Sequence, residues 1–114
     1  MVAASNLEFF RAAILEPALV SAARTTLALG DLTAAESYAN DALVIAEKSA
    51  RARDSSADVG EVLMLLAQLK VASRRSDEAR PLLERAVQCF SSGLGTDAPF
   101  TDAARKMLRS LTVV

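Results

Sequence analysis

The chain has 114 residues, enough for one domain with a buried core but short of two independent domains. Thirteen Lys and Arg residues and 14 Asp and Glu residues leave a net charge of -1, so bulk charge does not draw the chain toward nucleic acid or an acidic membrane. There is no histidine, which removes the commonest general base and the commonest metal ligand. We therefore expect no catalytic residue, no metal and no cofactor.

The remaining bulk features predict a soluble cytoplasmic chain. Cys89 is the single cysteine, which excludes an internal disulfide, and we expect it to be a small buried residue of a helix. The N-terminus has no basic residue ahead of an apolar run, so it does not read as a secretory signal. The longest apolar run, 62–69, is far shorter than the ~20 residues of a membrane span. No membrane partner is expected.

Helix is favoured along almost the whole chain by 23 alanines and only four glycines, and no strand is predicted. Ser5 and Glu8 form a capping box that opens a short N-terminal helix, which Pro17 ends or kinks. The next helix runs from about Pro17 to Leu29. It stops at Gly30, a residue able to take the left-handed angles of a helix C-cap.

Further helices follow in the second half. One begins near Leu32 and fades near Ala52, and the polar loop over 53–57 ends it. Ser56 or Asp58 is the expected N-cap of a helix that is apolar around most of its circumference. Such a helix is either central in the structure or covered by a ligand.

The last two predicted helices are separated by the clearest loop of the sequence. Ser76 is the expected cap of the first of them, with Pro81 in or just after its first turn, where a missing donor costs least. A loop over 91–99 follows, and a last helix over 100–112 has no predicted partner helix.

Two segments of the chain repeat each other at a separation of 44 positions. The matched residues are Leu19 with Leu63, Ala23 with Ala67, Leu27 with Val71, Ala28 with Ala72, Ala35 with Ala79, Ala42 with Ala86 and Leu43 with Val87. This periodicity predicts two copies of one helical hairpin. The shared alanines predict close helix crossings, because a methyl group lets two helix axes approach each other.

With these residues the chain resembles the tetratricopeptide repeat (TPR) family, whose pattern of small and apolar positions is matched twice. The matches are Leu19, Ala22, Ala23, Ala35, Ala39, Ala42 and Leu43, then Leu63, Leu66, Ala67, Ala79, Leu83, Ala86 and Val87. The separation of 44 residues between the two copies is longer than the period of about 34 residues that is usual in the family. In this respect the chain is similar to the long-helix subclass of kinesin light chains and bacterial regulatory proteins. The departures are Arg74 or Arg75 where the first copy has Gly30, the lack of a large aromatic residue at the position of Leu19 and Leu63, and the segment before Ile14.

The resemblance implies an all-α fold of antiparallel helical hairpins stacked as a short TPR-like superhelix. Residues 1–114 would form one domain, with an N-terminal helix over 5–16, repeats over 17–52 and 57–92 and a capping helix over 100–112. A plain bundle of three or five helices is the alternative.

The resemblance also implies a concave groove lined by the first helix of each repeat. Carried over residue by residue, the groove consists of Val20, Ser21, Arg24 and Leu27, of Glu61, Met64, Leu65, Gln68 and Val71, and of Lys106, Met107 and Ser110 in the cap. Some members of the family hold a C-terminal carboxylate in a clamp of polar side chains. Val20 and Leu65 stand at two clamp positions, so we expect an apolar peptide, a partner helix or a second copy instead.

An alternative for Met64 and Leu65 is that they pack against the N-terminal helix that carries Phe9 and Phe10.

Three other patterns are set aside. The acidic residues Asp77, Glu78 and Glu84 are explained by the dipole at a helix N-terminus. The sequence GLGTDA over 93–98 imitates a phosphate loop, but no strand precedes it. The basic residues between 51 and 80 alternate with acidic ones and have no aromatic neighbours to stack on bases.

The sequence therefore predicts a non-catalytic protein-binding module, in a bacterial regulatory or assembly context, whose partner is another protein or peptide. A homo-oligomeric scaffold with the groove filled by another copy is one alternative. A weak nucleic-acid-binding helical repeat protein is a second alternative, which the charge balance disfavours.

Overall fold

The described part of the chain forms five α-helices. The structure is a computed structural model that describes residues 2–49 and 56–112, with side chains for 13–48 and 56–111. The helices are α1 (Val2–Ala28), α2 (Leu32–Ser49), α3 (Ala57–Ala72), α4 (Ser76–Leu94) and α5 (Pro99–Thr112). The all-α prediction is confirmed within these residues. Most of the predicted loop over 53–57, and the predicted end of α2 near Ala52, lie outside them.

Helix α1 is continuous through Pro17, where the sequence predicted the boundary between two helices. An internal proline lacks the donor for one helical hydrogen bond and costs about 3 kcal/mol. Pro17 is exposed, while Val20 and Ala23, one and two turns later, are buried. Burial of these two residues stabilises the helix downstream of the proline. The prediction that the helix ends at Pro17 is therefore wrong.

The turn after α1 is the predicted glycine C-cap. Gly30 has a φ of 84°, the amide of Gly30 donates to the carbonyl of Leu27, and the amide of Asp31 donates to the carbonyl of Thr26. These two bonds are the Schellman pattern of a helix C-terminus. The short turn makes α1 and α2 an antiparallel hairpin.

The turn after α3 has the same hydrogen bonds 44 positions later. The amide of Arg74 donates to the carbonyl of Val71, and the amide of Arg75 donates to the carbonyl of Lys70. Arg74 has a φ of 61° and is the only described non-glycine residue with a positive φ. Arg74, and not Arg75, therefore takes the place of Gly30, with the backbone strain that a side chain brings to this conformation.

Helices α3 and α4 begin close to the predicted positions, but α4 ends later. The hydroxyl of Ser56 accepts a hydrogen bond of 3.3 Å from the amide of Val59, which confirms Ser56 as an N-cap. Ser76 is the first residue of α4 and Arg75 is its N-cap, a shift of one position from the prediction. The predicted loop over 91–99 is wrong for residues 91–94, which continue the helix to Gly95, where φ is 105°.

Neighbouring helices in the sequence pack on each other, and α3 lies in the middle. The largest contacts join α1 with α2 and α3 with α4, α2 packs on α3 and α4 on α5, and α1 also touches α3. The apolar α3 is thus central, one of the two predicted possibilities. The smallest dimension of the chain, 19 Å, matches two helix diameters of about 10 Å each.

The alanines of the 44-residue repeat are buried in both hairpins. Ala23, Ala35 and Ala42 are fully buried, and so are their counterparts Ala67, Ala79 and Ala86. All but one of the largest fully buried side chains belong to α3 and α4, the exception being Thr101 of α5, and Cys89 is buried as expected. None of the helices in the described part of the chain is long and apolar enough to cross a bilayer.

Candidate partner-binding surface

The exposed sides of α1 and α3 are joined by an ion pair. Nη2 of Arg24 on α1 donates to Oε1 of Glu61 on α3 at 2.7 Å, across 37 residues of sequence. Both side chains remain accessible, with 58% of Arg24 and 39% of Glu61 exposed. This bond places Arg24 and Glu61, two of the predicted groove residues, on one surface.

Helix α5 shares a buried cluster with α3 through its methionine. Met64 of α3 and Met107 of α5 are both half-buried and both pack against the buried cluster of Ala67, Ala79 and Leu83. Met64 also packs against the larger core cluster, to which all five helices contribute. The two methionines therefore share one buried cluster beneath α3 and α5. We call the accessible sides of α1, α3 and α5 that carry the predicted groove residues the α1–α3–α5 surface.

Most of the predicted groove residues are accessible on the α1–α3–α5 surface. Exposed residues are Ser21, Arg24, Gln68, Val71, Lys106 and Ser110, and half-buried residues are Leu27, Glu61, Met64 and Met107. Leu27 packs against the larger core cluster, and the hydroxyl of Ser110 is bonded to the carbonyl of Met107 at 2.7 Å.

Val20 and Leu65 differ from the other predicted groove residues because they are core residues. Val20 is 6% exposed and Leu65 is 3% exposed, and both belong to the larger core cluster. Their carried-over positions face a groove only if the first helices of the two repeats stand apart. Here both side chains pack in the core that the helices share, and α1 also touches α3. For Leu65, packing in the core therefore describes the structure better than exposure in a groove. The predicted contacts with the side chains of Phe9 and Phe10 lie outside the described residues.

Some charged residues of this surface form ion pairs, and others are carboxylates that lie near each other. Oδ2 of Asp102 and Nζ of Lys106, one turn apart on α5, form an ion pair of 3.2 Å. Burial, together with the nearby carboxylates of Asp58 and Glu61, raises the pKa of Glu16 on α1. One end of the α1–α3 face is therefore acidic, a feature that no motif of the sequence predicted.

The patterns that the sequence analysis set aside occupy solvent-exposed or structural positions. Asp77, Glu78 and Glu84 are exposed on α4, and residues 95–98 form the turn between α4 and α5. Lys70 and Arg75 both bind the carboxylate of Glu36. Among residues 2–49 and 56–112, no group of three or more His, Cys, Asp or Glu residues is placed to hold a metal ion.

Comparison with known proteins gave no match to a family model, to a curated protein or to a solved structure.

Proposed function

We propose that this chain is a non-catalytic helical-repeat module that binds a peptide or a partner helix on the α1–α3–α5 surface. The Arg24–Glu61 bond carries the proposal, because it sets the accessible faces of α1 and α3 side by side. The methionines over the second core cluster support the extension to α5. Met side chains adapt their shape to different guests, which suits a surface of this kind.

The TPR-like arrangement is part of this proposal. Its support is local: the same C-terminal turn at Gly30 and Arg74, and the same buried alanines 44 residues apart. If the second hairpin follows the first by a regular rotation, α1, α3 and α5 form one side of a short superhelix. That side would hold an extended or helical segment across about three helices.

The chemistry of the surface limits the guest. Val71 and the methionines offer apolar contacts, whereas Gln68 offers a neutral donor and acceptor. The carboxylates near Glu16 favour a guest with a basic residue at that end. We therefore propose an apolar segment with a Lys or Arg at one end as the preferred ligand.

The test is affinity capture from the native host with quantitative mass spectrometry. The bait variants are the double substitution Gln68→Arg and Val71→Glu on the surface, and Glu84→Arg on the exposed face of α4. Since all three residues are exposed, we expect unchanged helicity in circular dichroism. A partner retained by the wild type and by Glu84→Arg, but lost by the double variant, supports the proposal. Equal retention by all three baits would contradict it.

A further inference from the structure

The first hairpin, α1 and α2, is joined to the second, α3 and α4, mainly through α2. Glu36 of α2 binds Lys70 and Arg75, and Oε2 of Glu47 of α2 accepts from Nη2 of Arg85 of α4 at 3.2 Å. No side chain in these pairs is more than 38% exposed. Partly buried pairs of this kind are screened little by salt, so they hold the α2 side of the junction firmly.

The α1 side of the junction is held more weakly. Helix α1 touches α3 much less than α2 does. The ion pair of Arg24 with Glu61 joins α1 to α3, with 58% and 39% of the two side chains exposed. Water competes for the members of an ion pair at this exposure, so the pair stabilises the contact only slightly. The first hairpin therefore has a firm contact along α2 and a loose one along α1.

Repulsion between carboxylates acts against the contact of α1 with α3. Burial raises the pKa of Glu16 on α1 most, and the nearby carboxylates of Asp58 and Glu61 on α3 raise it further. Like charges that lie close together favour separation of the helices that carry them. Arg24 offsets this repulsion by its bond of 2.7 Å to Glu61. The contact of α1 with α3 therefore depends on the charge of Arg24.

The residues next to this ion pair are apolar and buried. Val20 lies one turn before Arg24 on α1, and Leu65 lies one turn after Glu61 on α3. Each therefore shares a helix face with one member of the pair. Val20 is 6% exposed and Leu65 is 3% exposed. The repeat register assigns both residues to a groove, which requires the first helices of the two repeats to stand apart, and separation of α1 from α3 supplies this arrangement.

We propose that the Arg24–Glu61 pair is a latch that holds the partner-binding surface in a closed form. When the latch opens, the first hairpin turns about the α2–α3 contact and exposes Val20 and Leu65. Helix α1 moves together with α2, because these two helices share one of the largest contacts of the chain. Opening also frees the carboxylate of Glu61 for the Lys or Arg of an apolar guest segment. The latch rests on the proposed function, since it regulates the same surface.

Thiol labelling tests the latch without any guest. Val20→Cys places a side chain of similar size at the buried position, and we expect its thiol to react with a maleimide only when α1 separates from α3. Cys89, which is buried on α4, is the internal control, because it becomes reactive when the core unfolds. Peptide mapping by mass spectrometry gives the labelling rates of both thiols in one sample.

Arg24→Glu in the Val20→Cys chain should open the latch. This change replaces an attraction by a repulsion, so labelling at position 20 should be about fivefold faster, with the rate of Cys89 and the helicity unchanged. Adding Glu61→Arg restores an ion pair of reversed direction and should bring back the slow rate. Lys106→Glu is the matched control, because it breaks an exposed ion pair within α5 and should leave the rate unchanged.

Three outcomes would overturn the proposal. The first is an unchanged rate at position 20 in Arg24→Glu, or an equal increase in Lys106→Glu. The second is an increase that Cys89 shares or that accompanies a loss of helicity, since both indicate unfolding. The third is a double variant that labels as fast as Arg24→Glu, because charge would then not be the cause. No guest enters the experiment, so its failure leaves the capture experiment with Gln68 and Val71 as a separate test of the proposed function.

Discussion

Glu36 on α2 and Lys70 on α3 join the two hairpins by a hydrogen bond of 2.7 Å between Oε1 and Nζ. The second carboxylate oxygen of Glu36 accepts from Nη2 of Arg75 in the turn after α3. Only 15% of the Lys70 side chain and 25% of the Glu36 side chain are exposed. One carboxylate of the first hairpin thus binds two cations of the second, at the contact of α2 with α3.

Substitution of Glu36 should destabilise the protein at neutral pH. Glu36→Gln keeps the shape but leaves the partly buried Lys70 with only the more distant carboxylate of Glu78, at 3.5 Å, which should cost about 1 kcal/mol after allowance for solvent screening. Glu84→Gln, the same change at an exposed position of α4, should cost much less. Urea denaturation followed by circular dichroism measures both. Equal losses in the two variants would contradict a structural role for the Glu36 cluster.

The stabilisation by Glu36 should depend on pH in a defined direction. The hydrogen bonds from Lys70 and then from Arg75 lower the pKa of Glu36. A carboxylate whose pKa is lowered on folding contributes stability above its ordinary pKa of about 4.3, and this contribution is lost as the pH falls through the lowered value. The difference in free energy of unfolding between the wild type and Glu36→Gln should therefore be full at pH 6 and smaller at pH 3. A difference that does not change over this range would refute the assignment.

Larger residues at the shared alanines should destabilise both hairpins. Ala42 and Ala86 are fully buried, so Ala42→Leu or Ala86→Leu forces additional methyl groups into a packed crossing and should cost about 1–3 kcal/mol. The control is Ala72→Leu at an exposed position at the end of α3. Thermal melts should show lower midpoints for the first two variants and little change for the control. If all three melt like the wild type, these alanines do not mark close crossings.

Gly60 on α3 should not tolerate even a methyl group. An added Cβ would lie 3.0 Å from Cε1 of Phe90 and 3.2 Å from Cβ of Cys89, on α4. Phe90 is fully buried and stacks on Phe100 with ring centroids 5.5 Å apart, so its ring has little room to move. In a helix, Ala is otherwise favoured over Gly by up to about 1 kcal/mol.

We expect the contact to outweigh this helix preference. Gly60→Ala should therefore lower the free energy of unfolding by about 1 kcal/mol. Gly93→Ala, at an exposed helical position of α4, should raise it or leave it unchanged. Chemical denaturation of the two variants separates packing from helix propensity, and a stabilised Gly60→Ala would show that α3 and α4 are farther apart at this point.

The parts of the fold that follow from local sequence were predicted, and the parts that depend on contacts between helices were not. The C-cap at Gly30 and the repeated buried alanines could be predicted because glycine and methyl-sized residues have few other roles at such spacings. Helix continuity through Pro17 could not, because it depends on packing by residues downstream. The burial of Val20 and Leu65 depends on how closely α1 approaches α3, which a repeat pattern does not specify.

In the candidate site, too, the accessible positions were predicted from the sequence and the contacts between helices were not. The accessible positions Arg24, Gln68 and Lys106 follow from the repeat register. The bond between Arg24 and Glu61 joins residues 37 positions apart. The carboxylates near Glu16 come from a second helix. Neither feature can be predicted from a local sequence pattern. Charges that meet across a helix contact become visible only when that contact is known.

Replacement of Arg74 by glycine should stabilise the turn between α3 and α4. With a φ of 61°, Arg74 pays the steric cost of the left-handed conformation, about 1 kcal/mol for a residue with a Cβ. Arg74→Gly removes this strain but increases the freedom of the unfolded chain, so we expect a net gain of up to about 1 kcal/mol. Ser73→Gly is the matched control, because Ser73 has a φ of -89° and gains no relief. Ser73→Gly should therefore lower the melting temperature, whereas Arg74→Gly should raise it. A loss of stability in both variants would mean that residue 74 does not hold the position of Gly30 in the second hairpin.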